Sequence, residues 1–307
     1  MTRRPAPPSP GMIQPTPGGR PGAVPPRIGA RPGLRANVRR PLLSYDDPMG
    51  GDRATIEALA RDRSSGAASI AERAARALAE LPPGSLGAAL DVLLRGQPSM
   101  APMWRLATEV LSREGTAAGI QRFLALLESD AGAPRHLAAA LPETILTISN
   151  STMVAEARIR RPSRTLCMRS LPGGEGVGFA RSLSGWTAAT SVPDGRALLD
   201  VPAEAVVCGA DAVTPEGVVN KVKTVALARA ARERGVPVHA VAGESKLLSR
   251  RPPLSGPFEI VPLDLFTSVA MAEGLLSPDE AAVRAGEVLL APELLPLFES
   301  LGGAAGP

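Results

Sequence analysis

Residues 205–246 constrain the fold of this chain more than any other stretch. An apolar run ending in Cys208 turns at Gly209-Ala210-Asp211 and passes Pro215-Glu216-Gly217; Val219, Val222, Ala226 and Ala230 then follow at helical spacing. Gly235 is placed to stop that helix, and residues 236–241 read as a second buried strand, so the stretch is expected to form a βαβ unit with a parallel pair. Ligands of such sheets sit beyond the carboxyl ends of the strands, where Asp211 and the Glu244-Ser245-Lys246 cluster would lie. The lysines support this placement. The chain has 34 Lys plus Arg, yet its lysines are Lys221, Lys223 and Lys246, all within this stretch. A compact ammonium is not interchangeable with a guanidinium near a ligand.

The rest of the chain arranges itself around that unit. Residues 1–41 are rich in Pro, Gly and Arg without helical or strand period and are expected to be a disordered tail, with a weak polyanion contact as its sharper alternative. Residues 52–135 carry five amphipathic segments, marked by Ile56 and Leu59, Ile70 and Leu78, Leu90 and Leu93, Leu106 and Val110, and Ile120 and Phe123, and predict a helical domain. Within it Arg63, Ser64, Gly66 and Ala67 lead into a helix, offering a guanidinium, a hydroxyl and free helix amides suited to an anion. Residues 140–300 read as a Rossmann-like parallel-sheet domain, so the fold class is α/β. Its first strand, residues 144–148, delivers Ser149 and Asn150 to the next helix. The strand at 164–168 leads to a Gly173-Gly174-Glu175-Gly176 loop without the spacing of a dinucleotide site. A strand at 258–262 is expected to lead to a helix from Leu263, and Ser277-Pro278-Asp279-Glu280 to start another.

Charge and rare residues exclude several classes. With eight Arg and no acid up to Pro41, the remainder holds 26 basic against 30 acidic residues, so a pI near 9.6 does not signal a nucleic-acid-binding fold. Cys167 and Cys208 lack metal or CxxC spacing and read as buried reduced thiols, consistent with a cytoplasmic protein; His136 and His239 stand far apart. No metal site and no cofactor are expected. No run suggests a secretion signal or membrane-spanning helix.

Asp62-Arg63 with Gly66-Ala67, Gln97-Pro98-Ser99-Met100-Ala101-Pro102, Ile145-Leu146-Thr147 with Ser149, Glu175-Gly176, Gly209-Ala210-Asp211, Asn220-Lys221 with Thr224, Gly235-Val236-Pro237 and Phe258-Glu259 occur in an order that resembles one known family. It is that of the alpha, beta and delta subunits of eukaryotic initiation factor two-B, with methylthioribose-1-phosphate isomerase and ribose-1,5-bisphosphate isomerase. The resemblance implies a helical domain on a Rossmann-like domain and assembly as a homodimer or larger oligomer. It also implies a ligand of the phosphosugar or nucleoside phosphate class. In that reading Asp211 accepts hydrogen bonds from ligand hydroxyls, Asn220 orients them and Lys221 holds the anionic group. Ser149 and Arg63 complete the wall, with Ser64, Gly66, Ala67, Gln97, Asn150, Gly174 and Glu175 as further contacts.

The departures from the family pattern point to function. The isomerases carry a catalytic Cys where this chain has Ser149, and a His where it has Ile148. A thiol of pKa about 8.5 can be tuned to thiolate, whereas nothing adjacent in sequence activates the hydroxyl in that way. Gln97 replaces an Arg, Leu171-Pro172 replaces Arg-Pro, and Lys223 replaces a Gly. The resemblance therefore implies a regulatory, non-catalytic protein of the initiation-factor-like branch. The alternative is an aldose-ketose isomerase using Asp211 with Ser149 or a water.

Overall fold

The computed structural model describes residues 53–303; the expected tail at 1–41 lies outside them. Six helices come first: α1 (Arg53–Arg61), α2 (Ala67–Ala79), α3 (Leu86–Gly96), α4 (Ala101–Val110), α5 (Thr116–Ser129) and α6 (Ala133–Ala140). The first five are the amphipathic segments of the sequence. Their apolar stripes meet in a core holding Leu59, Ile70, Leu93, Leu106 and Phe123. Trp104 anchors that core: its indole Nε1 donates to Pro98 O at 2.8 Å, and its ring meets Phe298 edge-on at 4.8 Å. Phe298 comes from the far end of the chain, so the last turns close the core of the first helices.

The sheet part follows as β1 (Thr144–Ile148), α7 (Thr152–Arg160), β2 (Arg164–Met168), α8 (Glu175–Leu183), β3 (Ala189–Val192), α9 (Asp194–Leu199) and β4 (Ala205–Gly209). Two further strands, β5 (Ala212–Thr214) and β6 (Gly217–Lys221), precede α10 (Thr224–Glu233) and β7 (Val238–Val241). The chain ends with β8 (Phe258–Pro262), β9 (Ser268–Ala270), β10 (Leu275–Leu276), α11 (Pro278–Gly286) and α12 (Leu295–Ser300). The seven-stranded sheet has the order β10-β9-β7-β4-β1-β2-β3, parallel except for β10 on β9. The topological switch point lies between β1 and β4, and the crevice outside their carboxyl ends is where this fold holds ligands. Helix α11 starts with the capping box expected at Ser277 and Glu280.

The stretch around Val219 departs from its expected helix. Pro215-Glu216-Gly217 is a hairpin turn, and β5, β6 and β8 form a separate antiparallel sheet; α10 begins only at Thr224. The physical reason is burial on both faces. Ala212 and Val219 pack into the helical core while Val213, Val218 and Val261 pack into the core of the large sheet. A strand covered on both sides loses the alternation that marks a strand. The predicted helix from Leu263 is likewise a single 3-10 turn, Leu263–Leu265, and β8 belongs to the small sheet. Cys167 and Cys208 are buried and unpaired as expected, and burial pushes each thiol up to about 12. No described helix is long and apolar enough to cross a membrane.

Candidate functional site

The carboxyl ends of β1, β2, β4, β6 and β7 deliver one group each to the same region. Ser149 follows β1 with a left-handed φ of 65°, its amide donating to Ser170 Oγ at 2.7 Å and its hydroxyl to Glu175 Oε1 at 3.2 Å. Glu175 opens α8 after Gly174, whose φ of 74° suits glycine. The same Oε1 lies 2.6 Å from Lys221 Nζ at the end of β6. A Cβ on Gly173 would stand 2.4 Å from Glu175 Oε2, so that position must stay bare for the carboxylate to lie there. Ser149 therefore does have an acceptor for its proton, which local sequence did not reveal. That acceptor is shared with the Lys221 ammonium.

Asp211 leaves β4 with its backbone fixed on both sides: its amide donates to Val219 O at 2.8 Å and its carbonyl accepts from Ala101 N at 2.9 Å. Its carboxylate has no hydrogen-bond or ion-pair partner among the described residues. Burial raises its pKa to about 6 against the pull of Lys246 and Lys221, with Glu175 adding to the rise. Lys246, only 6% exposed, also has no such partner among the described residues; burial lowers its pKa while Asp211, Asp130 and Cys208 oppose the fall. Behind it, Asp130 is buried and accepts from Ser245 Oγ, and burial raises its pKa against that bond and Lys246. Sequence reasoning placed the cluster at 244–246 correctly but missed Asp130, 115 residues away from Ser245 in the chain.

Most of the other candidates already bond within the fold. Asn220 is buried, donating to Thr224 Oγ1 at 3.2 Å, while Thr224 Oγ1 donates to Lys221 O at 2.6 Å, which fastens the entry to α10. Asn150 is exposed, with no side-chain partner among the described residues. Arg63 donates to the carbonyls of Ala60, Asp62 and Gly96. Gln97 is buried and donates to Leu59 O at 2.9 Å and Asp62 O at 2.6 Å. Ser64 gives its amide and hydroxyl to Asp62, whose pKa falls to about 2: burial would raise it, and the Ser65 and Ser64 bonds outweigh that. Asp62 thus takes the amides of Ser64 and Ser65, which precede the first turn of α2. Gly66 caps α2, and Ala67 is buried. Arg63 and Gln97 line a cavity of about 220 Å³ with Arg95, Ser99, Met100 and Phe258. Met100 precedes the amide that holds Asp211, and Phe258 pairs with Lys221 across the small sheet. No metal-binding cluster of His, Cys, Asp or Glu occurs among the described residues.

A mostly parallel α/β sheet following a helical region, with charged groups gathered at the switch point, defines a Rossmann-like fold. Residues 126–256 match the model of the initiation factor 2 subunit family, so the resemblance read in the sequence is shown over that segment. Three solved structures share the fold. The translation initiation factor eIF-2B of Pyrococcus horikoshii OT3 is 23% identical, with a TM-score of 0.65 over 73% of this chain and 96% of its own. The 5-methylthioribose 1-phosphate isomerase of the same organism is 20% identical, with a TM-score of 0.57 over 80% of this chain and 87% of its own. The tetrameric eIF2B-beta2-delta2 complex of C. thermophilum contains a chain 16% identical, with a TM-score of 0.57 over 76% of this chain and 93% of that one. No curated protein matches the chain in sequence.

Proposed function

We propose that this protein binds a phosphorylated sugar or a nucleoside phosphate at the switch point and acts as a regulatory, initiation-factor-like subunit. The observation that carries the reading is the pair Asp211 and Lys246: an acceptor and a donor, electrostatically coupled, without hydrogen-bond partners among the described residues. Both stand beyond the carboxyl ends of the parallel strands, where a ligand can reach them. A polyol supplies hydroxyls to Asp211, and an anionic group suits Lys246. Lys221, already paired with Glu175, serves as a secondary contact. The absence of a thiol at Ser149 favours binding over turnover. Likeness to a tetrameric complex supports assembly as a homodimer or larger oligomer, which sedimentation of the purified protein tests.

A second reading rests on one specific observation. A carboxyl of pKa about 6 is suited to exchange protons near neutrality, as a sugar aldose-ketose isomerase requires. One experiment separates the two. NMR of the protein with ribose 1,5-bisphosphate, methylthioribose 1-phosphate and nucleoside monophosphates records saturation transfer and product signals together. Transfer to an unchanged ligand, lost in Asp211→Asn, supports binding. Ketose signals that vanish in Asp211→Asn establish isomerisation, and no transfer to any of them removes both readings.

A further inference from the structure

Between the loop that carries Glu175 and the strand end that carries Lys221 lies a second ion pair, set back from the groups assigned to ligand. Asp194, the first residue of α9, is 9% exposed. Its Oδ1 accepts the amide of Ser170 at 2.8 Å, and its Oδ2 accepts the amide of Leu171 at 3.0 Å and the ammonium of Lys223 at 2.6 Å. Ser170 in turn accepts the amide of Ser149 and donates to Met168 O at 2.9 Å. The carboxylate therefore fixes the start of the loop that ends at Glu175. The ammonium ties it to the residue two positions beyond Lys221.

The backbone at Lys223 indicates a special requirement. This residue caps α10 with φ 81° and ψ −2°, the left-handed region in which glycine is at ease and a side chain is strained. A lysine held there is tolerated only where its side chain contributes something that a glycine would not. Its one ion pair among the described residues is with Asp194, a charge-assisted bond between a one-third exposed ammonium and a buried carboxylate.

We propose that Lys223 and Asp194 are positioning residues. Together they latch residues 169–174 to the amino end of α10 and thereby hold Glu175 and Ser149 in register with Lys221. The proposal rests on the reading of the switch point as a ligand site. Neither residue touches the ligand; each acts through the loop.

Lys223→Gly separates this role from simple stability, because glycine relieves the backbone strain while deleting the latch. Three measurements on the full chain decide: urea unfolding, amide hydrogen exchange at Ser170 and Leu171, and titration with ribose 1,5-bisphosphate. Lys223→Gly is expected to unfold at the same or a higher urea concentration. It should also exchange faster at Ser170 and Leu171 and bind the bisphosphate about tenfold more weakly, the scale of one bond to a charged group. Lys223→Arg, which keeps the charge, is expected to restore slow exchange and most of the affinity. Unchanged exchange in Lys223→Gly overturns the latch, as does faster exchange with unchanged affinity. If the wild-type protein binds neither the bisphosphate nor methylthioribose 1-phosphate nor a nucleoside monophosphate, the ligand reading fails by itself, and the exchange data alone then decide whether the latch exists.

Discussion

Replacing Asp211 by Asn should make the protein more stable while removing its ligand. A carboxyl at about 6 in the fold and at its ordinary 3.8 in the unfolded chain destabilises the ionised fold by about 3 kcal/mol. The sign follows from proton binding. Between pH 4 and 6 the folded chain keeps a proton on Asp211 that the unfolded chain has released. This contribution is fully present below 3.8 and is lost as the pH rises through 6. Asparagine has the same shape and stays neutral, and no side-chain hydrogen bond of Asp211 within the described residues is forfeited. Urea unfolding at pH 4, 5, 6, 7 and 8 measures the effect. The variant should exceed the wild type by about 1–3 kcal/mol at pH 8, and the difference should shrink towards zero at pH 4. Taking the difference between the two proteins cancels titrating groups not coupled to Asp211, including Asp62 and Asp194, whose lowered values act in the opposite sense. A variant less stable than the wild type at pH 8, or a difference independent of pH, refutes the reasoning.

Gly243→Ala would place a Cβ 1.9 Å from the Asp130 carboxyl carbon, so the thermal midpoint should fall by an amount equivalent to about 2 kcal/mol or more; a neutral effect would show that Asp130 is free to move. Gln97→Ala strips two carbonyls, those of Leu59 and Asp62, of a buried donor and should cost about 1–3 kcal/mol in urea unfolding. With both thiols buried and pushed up to about 12, neither Cys167 nor Cys208 should react with a disulfide reagent at pH 8 until denaturant is added; rapid labelling of the native protein would contradict the packing of β2 and β4.

The candidate site divides into a paired half and an open half. Glu175 Oε1 pairs with Lys221 and Ser149 while its Oε2 is buried without a hydrogen-bond partner among the described residues, so an anion approaching Lys221 must compete with a carboxylate already 2.6 Å away. Asp211 and Lys246 have no comparable claims on them, and their mutual attraction only partly offsets the burial that acts against both charges. Under the proposed function this asymmetry predicts an orientation: the hydroxyl-rich part of a ligand should meet Asp211, and its anionic end should be drawn to Lys246 rather than to the lysine singled out by the Asn220-Lys221 motif.

How much of this could be read from the chain alone depended on the range of each interaction. Five of the helices, β1, β2, β4 and the capping box at Ser277 announce themselves within a dozen residues, through periodicity and end signals that act locally. Asp211 and the cluster at 244–246 could be placed because carboxyl ends of parallel strands gather by topology. The hairpin β5–β6 could not, since its two-sided burial needs the helical core on one face and the large sheet on the other. Asp194 and Asp130 escaped for a related reason. Each is an ordinary acidic residue near a helix end until residues 24 and 115 positions away fold onto it, and only that juxtaposition turns a surface charge into a buried partner.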